Sequence, residues 1–410
     1  MMTAGGTAVI RDKGSQSDII AHHRIYALDG LRATMIFLVV LYHCVLSYIV
    51  APSTNWTFKD ETTTFLADIV IRFVHVFTLP TFFMLAGFFS AMLYLQRGAG
   101  TFVRSRATRI SLPFVVGWLI LHPVVGAGFV FANAAQSSSL AEGLAAVGTS
   151  FMDGSLFFTD STLHLWFMYD LMFFYAAMLV LVPIVMRLPA EWRAFVLAIF
   201  SAIIARPFLR LPVLALITMG MLQMVGGTLY ASLSFVPNWR LLLGYGLYFG
   251  FGWLLYLKRD LILGFDRFAW TQTLIGVTLF FAVGATVGLL GAGTIPRSAI
   301  FILFMSREAV VVWLLFFGLT GLYIRYLNRP FPVVRYIVDS SYWIYLVHLP
   351  LTIWLPGLLS GLVIMPWIKI LMVLSVTYVF GFATYDLFVR PTIVGSVLNG
   401  RRYPRGLPRR

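Results

Sequence analysis

The sequence predicts an all-α polytopic membrane protein of about ten transmembrane helices, with both termini in the cytoplasm. Three observations predict this fold class: the composition, the spacing of apolar runs and the placement of basic residues. Of 410 residues, 60% are hydrophobic and only 11% are charged, whereas a soluble domain carries about a quarter charged residues. Such a chain would leave too much apolar surface in water, so most of it is expected to face lipid.

Ten apolar runs approach the length that spans a bilayer, about 20 residues in a helix. They cover residues 31–50, 69–95, 110–132, 164–186, 193–206, 240–257, 270–290, 308–327, 341–362 and 366–388. The fifth run is short. The segment 211–236 is also apolar but is broken by Gly226, Gly227 and Pro237. It fits a re-entrant segment, a membrane-surface helix or an eleventh span.

Basic residues fix the predicted orientation, because cytoplasmic loops are enriched in lysine and arginine. With the N-terminus inside, 22 of the 30 basic residues fall on the cytoplasmic side. Loop 133–163 has no lysine or arginine and carries Glu142, Asp153 and Asp160. An eleventh span would put the basic C-terminal tail outside, which argues against it. The net charge of +14 therefore reflects topology, and no nucleic-acid partner is expected.

One membrane domain is predicted over residues 24–390, between a disordered cytoplasmic segment at 1–23 and a basic cytoplasmic tail at 391–410. The tail is expected to be disordered and to contact anionic lipid head groups. The first thirty residues lack the apolar core and cleavage site of a signal peptide, so the first helix is expected to direct insertion. The single cysteine, Cys44, excludes an intramolecular disulfide and a cysteine-based metal cluster.

The first span places an arginine and a histidine on one helix face. Arg32 follows Asp29, and His43 lies eleven residues beyond Arg32, which is three turns plus about 20°. The rise of about 16 Å puts Arg32 at the cytoplasmic edge and His43 near the bilayer midplane. Arginine suits an anionic ligand, and histidine, with an ordinary pKa of about 6.5, suits general base catalysis. The alternative is a histidine bonded within the bundle and an arginine that anchors the interface.

Three more arginines, Arg104, Arg106 and Arg109, crowd the short connection between the second and third spans, with no acidic residue nearby. Guanidinium groups gathered beside a helix start make a good phosphate site. The alternative is the ordinary enrichment of basic residues in cytoplasmic loops.

Two further histidines, His122 in the third span and His348 in the ninth, lie at a similar depth and are followed closely by proline. Proline bends a helix and frees a backbone carbonyl, and such bends within a membrane line cavities. These histidines are therefore expected to line a tunnel and contact substrate, although one of them fits a structural role. A three-histidine metal site with His43 is a weaker hypothesis, and no metal is expected.

The fourth span begins with His164 and Trp166 on the predicted periplasmic side, and Asp170 lies about a turn and a half deeper. These residues are expected to bind a sugar, with Trp166 as a stacking platform. The alternative is an interfacial aromatic residue beside a capping histidine. A weaker group of the same kind lies at the outer end of the second span and comprises Asp68, Arg72 and His75.

Several of these motifs resemble those of a known family. Asp29-Gly30-Leu31-Arg32, followed by ten residues and His43, resembles the signature of the acyltransferase-3 family of membrane acyltransferases. The segment 82–88 resembles the second-helix pattern of that family, although Ala86 stands where serine is common. Arg106 and Arg109 match its pair of arginines separated by two residues.

The resemblance extends to later helices and covers about residues 24–390. The segment 340–348 resembles the late-helix motif of the family. The segment 164–167, together with 56–87, is most similar to the branch of glucan biosynthesis protein C, which contains glucan succinyltransferases. Asp170 departs from this branch, which more usually has an uncharged residue there.

The resemblance implies a ten-helix enzyme of the bacterial inner membrane. Such an enzyme transfers an acyl group from cytoplasmic acyl-CoA to a hydroxyl of a periplasmic glycan, in this branch a succinyl group to an osmoregulated glucan. Carried over, His43 is the catalytic base, Arg32 with Asp29 orients the donor, and Arg106 and Arg109, with the adjoining Arg104, bind coenzyme A. The implied partners are the lipid bilayer, acyl-CoA and the glycan, in a monomer or a homo-oligomer.

The identity of the acyl group stays open between acetyl, succinyl and a longer group. A succinyl donor carries an additional carboxylate, and arginines expected in the outer half of the membrane are candidate partners for it: Arg206, Arg210, Arg297 and Arg307. Transfer is either direct or passes through an acylated His43, and the sequence leaves both routes open.

The rival functional class is a proton-coupled transporter of a small anion or glycan, since buried histidines and broken helices suit transport as well. A non-catalytic sensor or scaffold is a weaker alternative. Binding of acyl-CoA separates an acyltransferase from both.

Overall fold

The computed structural model describes residues 26–53, 55–290 and 293–406. Over these ranges the chain consists of helices and loops, and the one extended pairing there is an isolated bridge between Ser161 and Ser234. The predicted all-α class is confirmed. The segment 1–23, expected to be disordered, lies outside the described residues.

The α-helices of the described chain are numbered here in order. They are α1 (Tyr26–Val45), α2 (Phe65–Arg106), α3 (Leu112–Ser137), α4 (Leu140–Met152), α5 (Trp166–Met186), α6 (Ala190–Ile204), α7 (Pro207–Met224), α8 (Trp239–Leu257), α9 (Ala269–Leu290), α10 (Arg297–Leu327), α11 (Pro332–Leu359), α12 (Pro366–Thr384) and α13 (Ile393–Asn399). A π-helical turn at Ala107–Ser111 joins α2 to α3, and 3₁₀ segments at Leu163–Leu165 and Arg259–Phe268 precede α5 and α9.

Eight helical stretches of the described chain are long and apolar enough to cross a membrane, and one of them, Phe65–Ser137, contains both α2 and α3. Helix α8 is less apolar, but its connections show that it also runs between the two faces. The loop before it pairs with Ser161 beside the start of α5, whereas Tyr256 at its end bonds Gln96 near the far end of α2. The protein is therefore a multi-pass membrane protein, and over the described residues this connectivity gives ten passes, by α1, α2, α3, α5 and α7 to α12.

The fifth pass is made by α7, so the prediction that residues 193–206 form it is wrong. Helix α6 has only 15 residues, and at 1.5 Å per residue it is too short to span the bilayer core. Pro207 begins a new helix directly after α6, since proline is favoured in a first turn. Helix α7 ends before Gly226 and Gly227, whose φ angles of 88° and 99° are not helical.

Several chain segments meet at one face of the bundle, which is called the arginine face and includes Arg32, Arg109 and Arg335. The backbone amide of Ala27, at the start of α1, donates to Asn328 after α10. Near the other end of the described chain, Arg335 donates to the Tyr403 hydroxyl at 3.2 Å. Both described ends therefore lie on the same side of the bundle, as the sequence predicts.

The position of two arginines and the order of the C-terminal tail differ from the predictions. Arg210, at the start of α7, stacks on Phe265 and Phe317 and bonds Gln272, which places it and Arg206 in the half of the bundle nearer the arginine face. Their expected location in the outer half is wrong because the chain crosses the membrane after these residues.

The tail after Arg390 is not disordered over residues 393–406, which form α13 and a segment that packs back on the bundle.

Helices α2 and α8 cross at two glycines that allow their backbones to touch. A Cβ at Gly87 would overlap the Phe249 carbonyl, and a Cβ at Gly252 would overlap the Met84 carbonyl. Small residues at such crossings replace the hydrophobic driving force that is missing between helices in lipid. This contact sets the spacing of α2, which carries part of the cavity wall described below.

The crossing predicts that Gly252→Ala destabilises the protein by about 1–3 kcal/mol, because a methyl group forced into a packed site strains the backbone. Gly250→Ala is the matched control, since a methyl group at that position would meet no neighbouring atom within 4 Å. Thermal unfolding in detergent should show a lower midpoint for Gly252→Ala alone. Equal midpoints for both variants would show that the crossing tolerates a side chain.

Candidate active site

A cavity of about 2040 Å³ runs through the bundle from the arginine face to the opposite face. Pockets for drug-sized ligands are smaller, about 300–1,000 Å³, so this cavity has room for two substrates together. His43 and His164 lie on its wall at mid-depth, and Trp166 lies beside them. The cavity therefore joins the two groups of candidate residues that the sequence singles out at opposite membrane edges.

The end of the cavity at the arginine face is strongly basic. Seven arginines and two aspartates line it: Arg32, Arg97, Arg104, Arg106, Arg109, Arg259 and Arg335, with Asp29 and Asp339. These described lining residues thus carry an excess of five positive charges, seven against two. Such a concentration of guanidinium groups attracts polyanions and binds phosphate oxygens by paired hydrogen bonds.

Arg106 is held between two aromatic rings and a serine hydroxyl. Its guanidinium lies 5.3 Å from the Phe102 ring and 5.0 Å from the Tyr175 ring, and it donates to Ser90 Oγ at 3.3 Å. Its Nε is buried without a hydrogen-bond partner. An unpaired buried donor is costly, and the rest of this guanidinium lines the cavity, where it can meet an anionic ligand.

Arg32 and Arg109 frame the same end of the cavity. Arg32 forms an ion pair with Asp29 at 3.5 Å and lies 5.5 Å from the Phe89 ring. Arg109 sits in the π-helical turn, and its carbonyl accepts a hydrogen bond from the Tyr342 hydroxyl at 2.6 Å. Turns of this kind recur at functional sites because they widen a helix locally.

His43 forms a pair with His348 at mid-depth. His43 Nδ1 lies 2.9 Å from the Val39 carbonyl and 3.1 Å from His348 Nε2, and His348 Nδ1 lies 2.7 Å from the Tyr345 carbonyl. A carbonyl accepts only, so each Nδ1 carries the proton, and His348 Nε2 is an acceptor. This leaves His43 Nε2 with a free lone pair on a ring that lines the cavity.

His164 completes a group of three histidine rings. Its ring centroid lies 5.1 Å from that of His348, its Nε2 lies 3.1 Å from the Leu346 carbonyl, and its Nδ1 is buried without a partner. Leu163, just before it, has a φ of 54°. Such backbone strain in a non-glycine residue persists where the surrounding structure fixes it, often at functional sites.

The comparison with known families decides what kind of protein carries this cavity. Residues 25–386 match the acyltransferase-3 family, described as an acyltransferase domain. The chain belongs to the acyltransferase-3 family. It is therefore a membrane acyltransferase, and the resemblance found in its motifs is confirmed.

The curated relatives of this acyltransferase include proteins named glucans biosynthesis protein C. Those of Salmonella paratyphi B, Salmonella heidelberg and Salmonella agona are each 28% identical to it over 92 residues. The match covers 22% of this chain and only 23% of each relative. No solved structure matches the chain.

Most of the site residues predicted from sequence line the cavity of the acyltransferase, but two do not. His348 is fully buried behind His43 rather than exposed to the cavity. Asp170 is buried on α5 away from the lining, so it is not retained as a sugar-binding residue. Helix spacing gives the depth of a residue, but which face the neighbouring helices cover depends on packing that the sequence does not show.

His122 lines the outer part of the cavity, where its ring stacks on Trp118 with 4.7 Å between centroids. Both of its ring nitrogens are buried without a hydrogen-bond partner. In the part of the chain that the structure describes, no group of three or more histidine, cysteine or acidic side chains is placed to hold a metal ion. The described residues therefore give no support to a metal site at His43, His122 and His348.

A buried ion pair that was not predicted from the sequence holds the loop at the mouth of the cavity on the opposite face. Lys369 Nζ lies 2.9 Å from both carboxylate oxygens of Asp60, and both side chains are fully buried. Asp68 accepts hydrogen bonds from the Val50 and Ala51 amides, so its role is to fix the same loop. This loop carries Ser53, Asn55 and Trp56 to the cavity wall.

The ion pair predicts that Lys369→Met destabilises the acyltransferase by about 3–5 kcal/mol, because it leaves the Asp60 charge buried and unpaired. The double variant Asp60→Asn/Lys369→Met removes both charges and should recover much of the loss. Thermal unfolding in detergent measures both. A single variant as stable as the wild type would show that the pair does not hold the loop.

Proposed function

We propose that this acyltransferase carries an acyl group from acyl-CoA, bound at the arginine face, to a hydroxyl of a glycan that enters from the opposite face. The arginine face is proposed to be cytoplasmic, because cytoplasmic loops are enriched in basic residues, and the opposite face is proposed to open to the periplasm of a bacterium. The observation that carries the proposal is the single cavity that joins the basic end to His43 and continues to the far mouth.

The basic end suits the phosphates of coenzyme A. Coenzyme A carries a pyrophosphate and a 3′-phosphate, and guanidinium groups bind such oxygens in pairs. Arg106, with its unpaired Nε, and Arg109 are the proposed principal ligands, with Arg104 at the rim. The pantetheine arm would then follow the cavity along α1, where the helical rise from Arg32 to His43 is about 16 Å.

His43 is proposed as the general base. Its Nε2 takes the proton of the sugar hydroxyl, and the oxygen attacks the thioester carbonyl carbon. The C–S bond breaks as the ester forms, His43 returns the proton to the sulfur, and coenzyme A leaves as the free thiol. Direct transfer needs both substrates in place at once, which a cavity of about 2040 Å³ allows.

The part of the cavity from mid-depth to the far mouth is proposed to hold the acceptor. Trp166 lines the cavity and offers an aromatic ring against which a sugar can pack, and the polar rings of His122 and His164 line the same cavity. A glucan is the first acceptor to test, because the relatives are named glucans biosynthesis protein C. Succinyl-CoA and acetyl-CoA are the donors to compare.

The proposal predicts a separation between binding and chemistry. Arg106→Ala should weaken binding of acetyl-CoA or succinyl-CoA about tenfold or more, because charge-assisted hydrogen bonds contribute about 1.5–3 kcal/mol. His43→Ala should keep the binding and lose at least about 10²-fold in transfer rate. Calorimetry on the purified protein and a glycan acylation assay measure the two effects.

The folded wild type is the reference for these variants. Failure of the wild type to bind either thioester would contradict the proposal that coenzyme A carries the acyl group. Normal glycan acylation by His43→Ala would contradict its role as base. An acylated His43 trapped before the acceptor is added would replace direct transfer by a two-step route.

His348 is proposed to position His43 rather than to bind substrate. His348→Ala removes the acceptor that orients His43 Nδ1–H, and we expect kcat to fall about 10²-fold with little change in donor KM. His348→Gln offers a carbonyl oxygen in place of Nε2 and should restore part of the rate. Equal losses in the two variants would indicate a packing role instead.

A further inference from the structure

The C-terminal part of the chain closes one side of the basic end of the cavity. Five consecutive residues line the cavity there: Ser396, Val397, Leu398, Asn399 and Gly400. They form the second half of α13 and the residue that follows it. This group, residues 396–400, is called the α13 wall.

The α13 wall is held in place by hydrogen bonds on both of its sides. Before it, Thr392 Oγ1 accepts from the Val394 amide and caps the helix. Within it, Asn399 Nδ2 donates to the Tyr385 hydroxyl at 2.9 Å. Beyond it, the Tyr403 amide donates to the Arg390 carbonyl at 2.9 Å. The wall is therefore a fixed part of the bundle.

The residues that anchor this wall also line the cavity. Arg335 donates to Asp339 at 2.8 Å and to the Tyr403 hydroxyl at 3.2 Å, and Arg335 and Asp339 both face the cavity. Arg335 therefore both anchors the C-terminal segment and lines the basic end of the cavity.

The wall also touches a proposed phosphate ligand. The Arg109 guanidinium occupies the space in which a Cβ at position 400 would lie, and Gly400 has a φ of 77°. Only glycine therefore leaves Arg109 where it is, since any side chain would displace it and would strain the backbone. The position of Arg109 at the cavity edge depends on the wall.

We propose that the α13 wall is part of the donor site, where it contacts the phosphorylated adenosine end of coenzyme A and holds Arg109 towards it. This inference rests on the proposed function, because it takes an acyl-CoA donor as given. The wall stands at the cavity rim, the place for the end of the donor that is farthest from His43. The thioester end lies elsewhere, so the wall acts on donor affinity and not on the chemical step.

The test compares two donors that carry the same acyl group. Acyl-CoA contains the phosphorylated adenosine, and acyl-pantetheine lacks it. Ser396→Glu places a carboxylate on the wall, and we expect the KM for acyl-CoA to rise about tenfold through repulsion of the phosphates, with kcat unchanged. The KM for acyl-pantetheine should stay the same. Ser396→Gln, of equal size and neutral, should raise the KM for acyl-CoA much less than Ser396→Glu.

Two further variants test whether the effect comes from the wall rather than from the net charge of the protein. Arg405→Ala changes the net charge by the same amount at an exposed residue that does not line the cavity, and it should leave both donors unaffected. Gly400→Ala should raise the KM for acyl-CoA by displacing Arg109, again without an effect on acyl-pantetheine. Thermal unfolding of each variant reports whether the fold is kept.

Three kinetic results would contradict the assignment of the α13 wall to the donor site, and a fourth would contradict the proposed function. Equal effects on both donors, or equal effects of Ser396→Glu and Ser396→Gln, would overturn the proposal. Unchanged kinetics in Ser396→Glu and Gly400→Ala would overturn it as well. A folded wild type that uses neither thioester would instead contradict the proposed function on which this inference depends.

Discussion

The interior of a bilayer offers no hydrogen-bond partners, and this constraint governs how polar groups are arranged around the cavity. His43 and His164 each contact a backbone carbonyl with one ring nitrogen, at Val39 and Leu346. The Tyr345 hydroxyl in turn donates to the His164 carbonyl. The backbone thus takes one nitrogen of each ring, and His43 Nδ1 also contacts His348. The protein thereby builds a polar path through its centre from histidine and tyrosine side chains that bond to the backbone.

Local patterns in the sequence predict the parts of the site that lie on one helix. The eleven-residue spacing of Arg32 and His43 places both on the cavity wall, at its basic end and at mid-depth. The apolar runs likewise predict nine of the ten passes. The fifth fails because the break at Pro207 moves the crossing from α6 to α7, and two adjacent apolar helices look alike in hydropathy.

Features that join distant parts of the chain escape prediction from a single sequence. Lys369 looks like an ordinary polar residue in the last span until the loop that carries Asp60 packs on it. The pairing of His348 with His43 joins residues 305 apart. The basic tail is polar enough to suggest disorder, yet Tyr403 and its neighbours find partners on α11 and beyond α12. In each case a local property is overridden by tertiary contacts.

A cavity that reaches both faces could let ions leak across the membrane. A polar passage through an energised bilayer would let small cations flow down their gradient unless something opposes them. The excess of five positive charges on the lining at the arginine face creates an electrostatic barrier of the kind that excludes cations from water-conducting pores. The guanidinium groups that would attract a polyanionic donor would therefore also protect the ion gradient, and Arg106 and Arg109 would serve bioenergetics as well as substrate binding.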